Sequence, residues 1–263
     1  MEARSINCNQ KNTHPRDERC IFDPGIHKYE IDGDEFKSVT TVISRFFPVF
    51  NPDEAIEKML NGRNWNPTHK YWGMQDFEIK QNWEEKGIMA SKQGTFLHEQ
   101  IENYYLEQKF EEPQEFDLFR QFTSDHDFLT PYRTEWRIFD ESIGVAGTID
   151  FIALNGDSFE MYDWKRSLKV INKLNGAPIT QNRWGRGFKG LSDIDDTSFN
   201  HYTLQLSIYR FLLEKNYQIK LSKMFVVVLH PDYERYYKVE VPYLKEKAEY
   251  LLGALQSESK NDQ

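Results

Sequence analysis

Residues 145–154 (VAGTIDFIAL) and 158–165 (SFEMYDWK) are two largely apolar runs separated by Asn155-Gly156-Asp157. Asn and Gly accept the positive φ that tight turns need, so this spacing commits both runs to an antiparallel hairpin. The hairpin constrains the fold most, because it demands a sheet and carries two aspartates inside apolar stretches. Thr134-Glu-Trp136-Arg-Ile138-Phe alternates like a further strand, 224–230 reads as a buried strand and 236–241 as another. Helical period governs 53–60, 76–89, 91–108, 116–128, 200–215 and 242–255, with a loop over 63–73. Upstream, Tyr29-Glu-Ile31, Gly33-Asp34 and Phe36-Lys-Ser38 read as a short hairpin. Ser38-Val-Thr-Thr41 then caps a helix over 42–47 that Pro48 stops. Helices, three strands, helix, two strands and helix predict one α/β domain with a helical N-terminal portion. The expected boundaries are a flexible arm over 1–25, a single domain over 26–257 and a polar tail over 258–263. Within that domain, 26–130 is mostly helical and 131–257 is the core.

The chain has 263 residues, 39% of them hydrophobic and 15% aromatic, which describes a globular protein. Its longest apolar run, 224–229, is too short to cross a bilayer, and its first residues lack the apolar stretch of a secretion signal. Two cysteines make no disulfide framework, so the expectation is a reducing, intracellular, cytoplasmic location. The net charge of -9, from 33 Lys+Arg against 42 Asp+Glu, argues at first against a nucleic-acid partner. Resolved along the chain the charge is uneven. Residues 164–190 hold Lys165, Arg166, Lys169, Lys173, Arg183, Arg186 and Lys189 and no acid, so a +7 segment sits in a -16 remainder. It is either a solvated loop or a strip that tracks phosphates, with Trp184 and Phe188 available to stack on bases. Its glycines 176, 185, 187 and 190 suggest mobility. Trp65, Trp72 and Trp83 read as core residues ahead of stacking platforms.

Asp150 lies on the first strand of the central hairpin, and Asp163 and Lys165 lie on one face of the second. Counted back from the Asn155-Gly156 turn, Asp150 approaches Asp163 only if the strands are offset. Neighbouring buried carboxylates repel one another, and a hard divalent cation relieves the repulsion. A lysine beside them can orient a water or stabilise developing negative charge. There is no Walker loop, no Gly-x-Ser-x-Gly and no His-Glu-x-x-His.

Asp150 followed by Asp163-Trp-Lys165 across a hairpin resembles the core of the PD-(D/E)xK nuclease superfamily. Gly94-Thr-Phe-Leu-His98 upstream and Gln205-Leu-Ser-Ile-Tyr209 downstream narrow the resemblance to its RecB-like exonuclease branch, over about 94–209. Phage recombination exonucleases and mitochondrial genome-maintenance exonuclease are of this kind. The resemblance implies a restriction-endonuclease-like core, a mixed central sheet flanked by helices. It implies one or two Mg²⁺ or Mn²⁺ ions held by Asp150, Asp163 and the Trp164 backbone carbonyl. It gives Lys165 the attacking water, His98 a second ion or the scissile phosphate, and Gln205 and Tyr209 a bracing role beside the DNA backbone. Glu102, one helical turn from His98, is a ligand, a support for the His98 tautomer, or a solvated residue.

The implied activity is a metal-dependent DNA exonuclease of replication, recombination or repair, with replication or recombination proteins as further partners. The implied substrate is single-stranded or end-containing DNA, held by Arg166, Lys169, Lys173, Arg183, Trp184, Arg186 and Lys189. The helix start at Thr40 and Thr41 is a further phosphate contact, or a plain cap. A structure-selective endonuclease, a non-catalytic DNA-binding protein and an acidic interaction protein are the alternatives. A bacterial cell or a phage- or virus-infected host fits such an enzyme. Some relatives carry four cysteines for an iron–sulfur cluster, which Cys8 and Cys20 cannot supply. A zinc site from Cys8, His14, Cys20 and His27 is set aside because its spacings match no common finger.

Overall fold

The computed structural model describes residues 6–183 and 185–261. The chain divides into two compact units, 1–48 with 97–263, and 49–96, where the sequence led us to expect a single domain.

The larger unit is a mixed α/β structure around an eight-stranded, mostly antiparallel sheet. It begins with α1 (Cys8–Lys11), then β1 (Cys20–Asp23), β2 (Lys28–Ile31), β3 (Asp34–Ser38) and α2 (Val39–Ser44). The second unit holds α3 (Pro52–Leu60) and the start of α4 (Asp76–Tyr105), which re-enters the larger unit at Leu97. There follow α5 (Phe116–Asp125), β4 (Thr130–Asp140), β5 (Val145–Asn155), β6 (Ser158–Lys165), α6 (Ser198–Leu212), β7 (Leu221–Val228), β8 (Tyr237–Glu240) and α7 (Lys245–Asn261). The strand order is β1-β2-β3-β5-β6-β7-β8, with β4 on β5. The β3–β5 and β6–β7 pairs are parallel and the others antiparallel.

Strand alternation sorts β6 onto two cores. Met161 joins a cluster with Leu204, Ile208 and Leu251 from α6 and α7. Tyr162 and Trp164 join Leu97, Ile101, Phe116, Phe119 and Phe122 from α4 and α5. Asp163 and Lys165 are in step with Met161 and therefore turn toward α6. That helix is apolar around most of its circumference because its neighbours cover it, with Phe199, Leu204, Leu206, Ile208 and Leu212 all buried.

Four local readings are corrected. Residues 8–23 are not a loose arm, because polar side chains tie them to the free edge of β4. Asn9 pairs through its amide with Thr134, donating to the carbonyl at 2.9 Å and accepting from the amide at 2.9 Å. Asn12 donates to the Tyr132 carbonyl at 2.9 Å, so these amides blunt an edge that a strand would otherwise extend. The two helices expected over 76–89 and 91–108 are the single helix α4. The polar tail is partly helical, since α7 runs to Asn261. The central turn is Gly156-Asp157 alone, because Asn155 pairs with Ser158 and Gly156 takes the positive φ of 58°.

Candidate functional site

The site lies where the sheet forks. One edge of β5 is paired with β4 along its length, from Leu154 to Val145. Two strands share the other edge. β3 pairs at Lys37–Val145 and Ser38–Ala146, and β6 pairs from Asn155–Ser158 to Phe151–Tyr162. Residues 147–150 lie between the two ladders. Continuing the β5–β6 register by one step sets Asp150 opposite Asp163, so the offset expected from the sequence is not needed. A two-residue turn places the aspartates symmetrically, five residues to either side of the closing pair Asn155–Ser158. The Trp164 amide donates to Asp150 Oδ2 at 2.8 Å, so this carboxylate takes the place of a strand carbonyl where β5 and β6 part.

The other expected residues converge on this fork. Lys165 Nζ is 2.7 Å from Asp163 Oδ2 and 4.7 Å from the centre of the Tyr202 ring. His98, on α4, shares a hydrogen bond of 2.8 Å between Nε2 and the Trp164 carbonyl. Its Nδ1 is 3.6 Å from Asp150 Oδ2 and 3.6 Å from Glu135 Oε1. On α6, Gln205 Nε2 donates to Tyr209 Oη at 2.9 Å. The Tyr209 ring lies against Gly147, where a Cβ would stand 2.5 Å from Cε1. Gly147 is therefore the residue that lets α6 close down on the fork.

Burial works against every charge in the site. It pushes Asp150 up from the ordinary aspartate value, against the pull of His98 and Lys165. It pushes Asp163 up to about 6, with Lys165 opposing. Burial would discharge Lys165, but the Asp163 and Asp150 carboxylates outweigh it and hold the ammonium form. Burial would likewise lower His98, and Asp150 and Glu135 outweigh it to reach about 9. Glu102 rises to about 7 through burial and the nearby Glu135 charge.

One group of side chains here could hold a metal ion. His98, Glu135 and Asp150 each offer a ligand atom, all within 4.8 Å of one another. Beside them Asp163 Oδ2 is buried and has no aligned hydrogen-bond donor among the described residues, only the charge of Lys165.

The basic segment is less uniform than its sequence suggests. Arg166 is half-buried and forms an ion pair with the buried Glu115, which makes it part of the fold ahead of any ligand surface. Arg186 pairs with Asp195 at 2.8 Å, an acid just beyond the acid-free stretch. Lys169, Lys173, Arg183 and Lys189 are exposed, and Trp184 lies outside the described residues. The glycine-based expectation of mobility meets a tied-down loop. Val170, Ile171 and Leu191 anchor it in the core, and Phe188 N donates to the Phe46 carbonyl at 2.7 Å. Thr40 and Thr41 are exposed at the start of α2, where both hydroxyls hydrogen-bond the Ser38 cap at 3.0 and 2.8 Å.

Sequence reasoning missed Glu135 and Tyr202. Glu135 sits in β4 between the pairs Thr134–Phe151 and Trp136–Ile149, beside Asp150, with a φ of 45°. A left-handed Glu within a strand is strained by about 1–2 kcal/mol, and such strain concentrates at functional sites. The alternating pattern of 134–139 carries no sign of it. Tyr202 lies three residues before Gln205, close enough for a helix-face argument to have found it.

No family model and no curated protein matches the chain. Among solved structures, one described as the crystal structure of SSO0001 is 14% identical, covering 83% of this chain and 73% of that chain. Its TM-score of 0.32 is too low to carry an argument about this fold or site.

Proposed function

We propose that the chain is a divalent-cation-dependent nuclease that hydrolyses phosphodiester bonds in DNA from an end. The observation that carries this reading is the convergence at the fork, where the Trp164 amide donates to Asp150 Oδ2 at 2.8 Å and Lys165 Nζ is 2.7 Å from Asp163 Oδ2. The resemblance of Gly94–His98, Asp150, Asp163–Lys165 and Gln205–Tyr209 to the RecB-like exonuclease motifs supports it.

Asp150, Asp163 and the Trp164 carbonyl would hold the cation, which when bound polarises the phosphoryl group and acidifies water. Lys165, kept as an ammonium and seated over Tyr202, donates hydrogen bonds to the attacking water and to charge developing on the phosphate. His98 Nδ1, 3.6 Å from both Asp150 Oδ2 and Glu135 Oε1, lies between the two carboxylates and offsets their repulsion. Gln205 and Tyr209 hold α6 against Gly147 behind the reacting groups. The exposed Lys169, Lys173, Arg183 and Lys189 would meet the phosphates of the bound strand.

The test is digestion of 5′- and 3′-labelled single- and double-stranded DNA with Mg²⁺. This reading expects a ladder growing from one end. Internal fragments would turn it into an endonuclease, and intact DNA with both Mg²⁺ and Mn²⁺ would overturn it.

A further inference from the structure

In the unit of residues 49–96, Trp65 and Trp83 pack half-buried against the core and Trp72 is exposed. The unit holds three of the six tryptophans, Trp65, Trp72 and Trp83, and none of them is buried. By contrast Trp136 and Trp164 of the larger unit are 2% and 1% exposed. The core of the small unit is Ile56, Tyr71 and Ile79, and Trp72, at 46% exposure, lies outside it. So large an exposed apolar ring needs a reason.

The geometry around Trp72 supplies one. The Trp65 ring centre is 4.9 Å from His69 and 5.3 Å from Trp72, at interplanar angles of 52° and 44°, so three rings form a cluster of tilted contacts whose outer member is Trp72. Successive turns hold the loop, with His69 N donating to the Asn66 carbonyl at 2.8 Å and Trp72 N to the His69 carbonyl at 2.8 Å. Trp83 Nε1 donates to Tyr71 Oη at 2.8 Å and locks the underside. The cluster is thus built in advance of any ligand. Residues 59–75 contain Arg63 and Lys70 and no acid, in a chain of net charge -9. Both cations are exposed and neither is in an ion pair among the described residues, with Lys70 Nζ resting 4.5 Å from the centre of the Tyr71 ring.

We propose that this loop is a second DNA contact, a platform on which a base of single-stranded DNA stacks against Trp72 while Arg63 and Lys70 meet the flanking phosphates. Stacking needs an open base face, which a single strand presents and a duplex conceals. The platform therefore selects unpaired strand, and the inference rests on the nucleic-acid reading of the fork.

The experiment uses the full chain in EDTA, so that binding is read without turnover, and titrates a short oligothymidylate against tryptophan emission. Wild type is quenched and binds. Trp72→Ala weakens binding about 5-fold or more, the lower end of what one base–aromatic stack contributes. Its melting temperature stays that of wild type, since the ring is exposed. Arg63→Glu with Lys70→Glu lowers the salt slope of log K by about 1.4, the value for two phosphate contacts on a single strand. Wild-type affinity in both variants, with Mg²⁺-dependent cleavage intact, would sink the platform and leave the nuclease reading standing. A wild-type chain that neither binds nor cleaves would remove both.

Discussion

Gly147→Ala is the sharpest test of how the fork is assembled. The added Cβ would lie 2.5 Å from Tyr209 Cε1 and 2.9 Å from its hydroxyl. Carbon atoms rest about 3.5–4.0 Å apart, so the buried ring must retreat by about 1 Å or more. It has little room, because Tyr209 is 4% exposed and holds the Gln205 amide at 2.9 Å. Gly147 is not among the positive-φ glycines, so alanine brings no backbone strain there. In a strand it even gains about 0.5–1 kcal/mol over glycine. Overpacking costs about 1–3 kcal/mol, leaving a net loss of about 0–2.5 kcal/mol. For a chain of this size that lowers the melting temperature by up to about 10 °C. Thermal unfolding followed by circular dichroism reads it. The decisive comparison is a double-mutant cycle with Tyr209→Leu, which removes both clashing atoms. In that background Gly147→Ala becomes neutral or stabilising, with a coupling of about 1 kcal/mol or more. Equal loss in both backgrounds would refute the packing argument.

Two further outcomes follow from the same geometry. Arg166→Ala strands the buried Glu115 carboxylate, whose side chain is 5% exposed, and costs about 3–5 kcal/mol in urea unfolding. Lys169→Ala, on the exposed part of the same segment, stays within about 0.5 kcal/mol, and similar losses for the two would return Arg166 to the surface strip. Glu102 has a raised pKa, so the folded state binds its proton more tightly than the unfolded one. Glu102 therefore withdraws stability as pH rises from 4.5 to about 7, and Glu102→Gln removes that share of the pH dependence. Urea midpoints should agree below pH 4.5 and favour the variant above pH 7, and an advantage confined to acid would reverse the assignment.

What could be read in the sequence was local. The β5–β6 hairpin, α6 and the Asp150, Asp163 and Lys165 set follow from apolar runs, a glycine turn and a period of two. The mistakes came from pairings between distant residues. Whether the turn holds two residues or three decides the partner of Asp150, and only the ladder settles that. Asn9 reads as loop because its hydrogen bonds go to Thr134, 125 positions away. Arg166 reads as a free cation because Glu115 is 51 positions away. Glu135 reaches His98 and Asp150 through a left-handed backbone that a glutamate does not advertise. The single helix α4 defeats a pattern argument for another reason. Residues 84–89 are exposed on every side of it, so no apolar face marks its continuity.

The central claim is that Asp163 and Lys165 form a reacting pair and not merely an ion pair of the fold. It is tested most directly by DNA cleavage with Mg²⁺ in Lys165→Met and Asp163→Asn, each first shown by circular dichroism to be folded. The account predicts a loss of about 100-fold or more in each, the scale on which a positioned group contributes to catalysis. Folded variants that cleave at the wild-type rate would contradict it.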